Sequence, residues 1–126
     1  MAHHAYTQSY TAWGLGMPYV VRGDLVEAAR VLEKADSLCR EWNFPLSSAL
    51  VSGALGIVRA RSGRGHEGVA LLREAVASYE RTFGHGVWHS RNVIWLSEAL
   101  MLSGQYDEAR TIGAQALALT REGRHR

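Results

Sequence analysis

Few residues in this 126-residue chain have types and spacing that suggest chemistry. Gly63-x-Gly65-x-x-Gly68 matches the glycine fingerprint that cradles a dinucleotide pyrophosphate. That loop works only after a strand, at the opening of a helix, with an acidic residue about twenty positions further on. Here the preceding pattern is helical, and around position 85 stand Gly84, His85 and Gly86, so a hairpin turn is the expected role. His85 and His89 have the i, i+4 spacing of metal-binding histidines on a helix. Gly86 lies between them at an expected helix start, and no cysteine or third histidine stands near, so no metal centre is expected. Cys39 is the single cysteine and falls on an apolar stripe, which makes it a core thiol rather than a nucleophile. Glu98, between Leu96 and Leu100, is expected to face solvent or pair with an arginine, or else to mark a polar contact in a groove. There is no Gly-x-Ser-x-Gly elbow and no pair of carboxylates on an apolar background. The chain is therefore expected to be no enzyme, with no catalytic residue, no cofactor and no metal.

These residues fall within helical patterning or at the turns between its segments. Tyr10, Trp13, Met17 and Val20/Val21 recur at three- and four-residue steps from about Thr7, although Pro18 should kink or shorten that first helix. Gly23 closes it and Asp24 caps the next, whose stripe is Leu25, Ala28, Leu32, Ala35 and Cys39, ending near Trp42. Pro45 opens a third helix, to about Ser62, that is apolar on more than one face, as expected of a helix packed between neighbours. Gly53 and Gly56 cost about 1 kcal/mol each in its interior, and a close helix crossing is the expected compensation. A fourth helix from Gly65 to Phe83 carries Val69, Leu72, Val76 and Tyr79. A fifth runs from Val87 to about Ser103, and a sixth from Tyr106 to about Glu122.

The glycine breaks recur, at Gly23, Gly63 and Gly104, in steps of 40 and then 41 residues. A fixed period of this length marks an array of helical hairpins. Leu15, Gly16, Tyr19, Gly23, Ala28, Leu32 and Ala35 resemble a tetratricopeptide repeat, and Leu55, Gly56, Gly63, Gly68, Leu72 and Ala75 repeat the pattern. The third copy keeps Leu96, Gly104, Ala109 and Ala116, but has Ser97 in place of the small glycine and Gly113 in place of a large apolar residue. The resemblance implies an all-α, right-handed superhelix of three antiparallel hairpins, at about 7–42, 45–83 and 87–122. An N-terminal tail, 1–6, and a basic C-terminal tail, 123–126, flank it. The repeat length, with Gly23-Asp24-Leu25, Leu38-Cys39-Arg40-Glu41-Trp42 and Trp95-Leu96-Ser97-Glu98-Ala99, is most similar to long-repeat arrays beside bacterial class III adenylate cyclase domains and in LuxR-type regulators.

Composition excludes several classes. Hydrophobic residues at 47% and charged residues at 21% are ordinary globular values. Thirteen arginines and one lysine are interleaved with twelve carboxylates, giving a net charge of +2 without a clustered basic face, so no nucleic-acid partner is expected. No apolar run reaches membrane-spanning length, so no membrane partner is expected, and a lone cysteine suits a reducing cytoplasm. The resemblance implies binding of a protein or peptide by a scaffold or sensory module, as a fragment of a larger bacterial signalling or regulatory protein. First helices of hairpins line the concave surface in this family, so Tyr10, Trp13, Met17, Arg61, Arg91, Trp95 and Glu98 are candidate groove residues. The bland alternative is that most of them fill contacts between hairpins. A second function class is a homo-oligomer formed through uncapped end helices.

Overall fold

A computed structural model describes residues 2–84 and 87–124, which places His85 outside the described residues. The chain forms six helices, α1 (Ala2–Arg22), α2 (Leu25–Trp42), α3 (Pro45–Arg61), α4 (Gly65–Phe83), α5 (Val87–Leu102) and α6 (Tyr106–Arg124), with no strand among the described residues. Consecutive helices pair as three hairpins. Each hairpin packs on the next, and the odd-numbered helices also touch one another, α1 on α3 and α3 on α5. The result is an all-α solenoid.

The three intra-hairpin turns are built alike. Gly23, Gly63 and Gly104 take φ of +79°, +86° and +83°, a left-handed conformation that costs glycine little. The residue after each glycine then donates its amide N–H to the carbonyl five residues back: Asp24 to Tyr19, Arg64 to Arg59, and Gln105 to Leu100, each at 2.9 Å. This closure satisfies a helix-end carbonyl that would otherwise lack a partner. Asp24 caps α2 by accepting from the Glu27 amide at 3.4 Å, and Asn43 ends α2 with φ +54°.

Two boundaries differ from the sequence expectation. The first helix begins at Ala2, ahead of Thr7, and the last reaches Arg124. Nor does Pro18 shorten α1, which continues through it to Arg22. Proline removes the hydrogen bond to residue i−4 and crowds that carbonyl. Here residue i−4 is Gly14, and both Gly14 and Pro18 lie exposed, so water is within reach of the released carbonyl.

Two apolar clusters form the core. The first joins Trp13 and Val20 of α1, Ala28, Leu32, Ala35 and Cys39 of α2, and Leu50, Val51, Ala54, Leu55, Ile57 and Val58 of α3. The second joins Ala60, Val69, Leu72, Leu96, Ala99, Leu100 and Ala109 across α3 to α6. Trp95 packs against both. Because α3 contacts four other helices, nearly its whole surface is buried, as its two-sided apolar pattern predicts.

Candidate functional site

Tyr10, Trp13 and Met17 rise along α1 at helical spacing, Arg91, Trp95 and Glu98 do so along α5, and Arg61 ends α3 between them. Steps of 40 and 41 residues superpose Tyr10, Leu50 and Arg91, then Met17, Ile57 and Glu98. The inner stripe of α3 is thus Leu50, Ala54, Ile57 and Arg61. Its first three members are at most 3% exposed, inside the cluster that Trp13, Met17 and Trp95 help to form. The flanking helices therefore cover the middle of this face, and its polar groups stand at the edges.

The seven candidates divide by what they touch. Trp13, only 7% exposed, belongs to the first core cluster. Tyr10 lies exposed against it, ring centroids 5.6 Å apart and tilted by 45°. Met17 and Trp95 are half-buried. The Arg91 guanidinium stands 5.8 Å from the Trp95 ring centroid, within reach of a cation–π contact. Arg61 and Glu98 form a two-pronged ion pair across α3 and α5, Nε to Oε2 at 2.6 Å and Nη2 to Oε1 at 3.0 Å. The hydrogen bonds that Arg61 donates to Glu98 raise the Arg61 pKa above its ordinary value. Glu98 is thus an arginine-paired carboxylate. Tyr10, Arg61 and Arg91 remain exposed around it.

The glycines of the fingerprint-like run each have a structural use. Gly63 makes the turn. A Cβ at Gly65 would stand 2.9 Å from the Ser103 Cβ, so the third hairpin presses on that point. A Cβ at Gly68 would meet the Gly56 carbonyl oxygen at 2.5 Å and the Ala60 Cβ at 2.9 Å. Gly56 and Gly68 therefore bring α3 and α4 into backbone contact. Gly53 serves a different neighbour: its missing Cβ makes room for the Asn92 side chain, whose Oδ1 would otherwise lie at 2.1 Å. Asn92, 2% exposed, donates its Nδ2 to the Ala49 carbonyl at 3.5 Å. His89 is also interior, stacked on Tyr79 with centroids 5.9 Å apart and with Nε2 3.3 Å from Glu80. Among the described residues no three metal-ligating side chains come together.

Sequence reasoning missed the buried Asn92 and His89. The signal for Asn92 is its repeat position, which Val51 fills with an apolar side chain in the hairpin before.

Hairpins stacked into a solenoid, with a turn glycine at a fixed period, define a helical-repeat protein. Family models for the tetratricopeptide repeat match residues 53–86 and, separately, 9–34 and 93–112, one segment in each hairpin. The chain carries tetratricopeptide repeats, a family whose general role is protein–protein interaction. A crystal structure from Podosopora anserina is similar in fold, with TM-score 0.72, 20% identity and 95% of this chain covered. It is the Q17M form of a protein assigned as a kinesin light chain with nearly identical TPR-like repeats, and the present chain spans 58% of its length. No curated protein matches this chain at a significant level.

Proposed function

We propose that this chain is a protein-interaction module that takes a protein or peptide partner along the edge of the face shared by α1, α3 and α5. The observation that carries this reading is that Tyr10, Arg61 and Arg91 stay exposed around a covered apolar centre. Aromatic and arginine side chains are the types that most often dominate binding energy at protein interfaces. Trp13 holds the core behind them, and Met17, Trp95 and Glu98 buttress the exposed three. The mechanism is differential binding on a preformed surface, with no bond chemistry.

The 40- and 41-residue repeats and the phrases around Leu38 and Trp95 favour a place within a larger bacterial signalling or regulatory protein of the cytoplasm. Among the described residues no helix is long and apolar enough to cross a membrane. An immunoblot of source-cell lysate tests the larger context: a band well above 13.9 kDa supports it, and one at 13.9 kDa counts against it. Capture of partners from the same lysate tests the surface. Arg91→Glu and Tyr10→Ala should lose bound protein while melting like the parent, whereas Glu74→Lys, exposed on α4, should keep it. Equal capture by all of them removes the proposed site.

A second reading, self-association, rests on a separate observation. Of the eleven markedly exposed large apolar side chains among the described residues, only Phe83 belongs to the middle hairpin. The others, Leu15, Ile94, Met101 and Leu117 among them, belong to the two end hairpins. Light scattering over a range of concentrations tests this reading, and a constant mass would end it.

A further inference from the structure

The repeat register specifies how such an association would run. Leu15, Leu55 and Leu96 occupy one repeat position. Leu55 lies in a core cluster with Val20, Ala28 and Leu32 of the preceding hairpin, and Leu96 lies in one with Ala60, Val69 and Leu72 of the preceding hairpin. Both leucines are 4% exposed. Leu15, with no hairpin before it in the structure, is 61% exposed. It borders a groove of about 580 Å³ between α1 and α2, with Ala12, Val31 and Leu38 among the lining residues and Arg30 and Lys34 at its rim.

The opposite end has the complementary defect. Leu32 and Leu72, both fully buried, are followed at the same repeat position by Gly113. There the chain leaves an open notch of about 240 Å³, lined by Ile94 and Ser97 of α5 and by Gly113, Ala116, Leu117 and Thr120 of α6. One more step of the repeat would set the next leucine against Met101, Ala109 and Gly113. One end of the solenoid therefore carries a leucine without a seat, and the other a seat without its own leucine.

We propose that two copies of this chain join head to tail, α1 of one copy seating Leu15 in the Gly113 notch of the other, where a seventh helix would lie. The proposal rests on the self-association reading and adds its direction and register. It also fixes the character of the contact. Between the internal hairpins, Arg59 joins Glu33 at 2.6 Å, and Arg73 joins Glu108. On the last hairpin the position of Glu33 and Arg73 is taken by Ala114, so that tie is absent there and the contact is apolar. Association should therefore persist in about 1 M salt, where exposed ion pairs are screened.

A head-to-tail contact is heterologous and stays open at both ends, so it does not stop at a dimer. Sedimentation of the parent chain should show a mass that climbs with concentration beyond twice 13.9 kDa. Leu15→Arg destroys one face and Leu117→Arg the other, with Ile94→Arg as a second variant of the notch. All three positions are about half exposed or more, and circular dichroism checks that the variants fold. Each variant alone should be monomeric. An equimolar mixture of Leu15→Arg and Leu117→Arg should give a complex of two chains and nothing larger, because one intact face remains on each partner. A parent chain that stays monomeric at every concentration overturns self-association itself and gives both faces to flanking repeats. A parent that associates while the single variants still pair, or whose variants fail to complement, overturns the head-to-tail register alone.

Discussion

The second and third hairpins pack their two helices against each other with opposite sets of residues. In the second, Gly56 and Gly68 remove side chains from both helices, and Leu72 packs over the bare backbone; a Cβ on Gly56 would stand 2.8 Å from the Leu72 Cγ. In the third, Ser97 takes the place of Gly56 and donates its hydroxyl to the Ala109 carbonyl at 2.8 Å. The leucine that would collide with Ser97 is replaced by Gly113, where a Cβ would come within 3.1 Å of the Ser97 Oγ. The two departures from the repeat pattern are therefore one change made in two places. An inter-helical hydrogen bond replaces a packed leucine, and the volume released becomes the notch on the outer face.

The largest test of this contrast uses the same pair of residues in opposite directions. Gly68→Ala should destabilise by about 2–3 kcal/mol in urea melts, since the new methyl meets backbone rather than a side chain that can turn aside. Ala109→Gly, at the equivalent position, should cost less, about 1–2 kcal/mol, from the helix propensity difference and the loss of one buried methyl. Equal losses would mean that the two crossings are equally tight.

A double-mutant cycle comes next. Ser97→Gly removes a hydrogen bond worth about 1 kcal/mol, and Gly113→Leu brings a leucine against the serine hydroxyl. Together they rebuild the second hairpin's solution, so the double variant should be more stable than the sum of the singles predicts, by about 1 kcal/mol or more. Additive effects would show that the two positions are independent.

The smallest effect concerns the tie between these hairpins. Arg73 grips Glu108 through two hydrogen bonds, at 2.5 and 2.7 Å, and this holds the Glu108 pKa below the ordinary carboxylate range. A carboxylate with a lowered folded pKa adds stability above its unfolded pKa and loses that contribution as pH falls through the folded one. Glu108→Gln should accordingly melt slightly below the parent at neutral pH, and the difference should vanish in acid. A difference that grows in acid would reverse the sign of the argument.

The solenoid was legible because its signals are local: turn glycines at a fixed period, apolar stripes, Asp24 and Pro45 at helix starts. The paired nature of Ser97 and Gly113 was not, because the two residues lie on different helices and only their contact shows that one makes room for the other. The groove residues were legible as a stripe but not as a surface. Helical spacing places Trp13 and Tyr10 on the same side of α1, yet it does not tell that α3 lies close enough to bury one and spare the other. His89 shows the same limit: its four-residue interval to His85 is a feature of the sequence alone, whereas its burial depends on Tyr79 and Glu80 of α4.

Cys39 is the chain's one thiol, 2% exposed on the buried stripe of α2, next to the turn that leads to α3. A reagent that modifies free sulfhydryls reaches it only when the first hairpin parts from its neighbours. In excess reagent, the modification rate becomes a clock for that opening, with a free energy between local fraying and complete unfolding. The protein thus has a built-in reporter at one end of the array, and a chain capped there by another molecule would label more slowly than a free one.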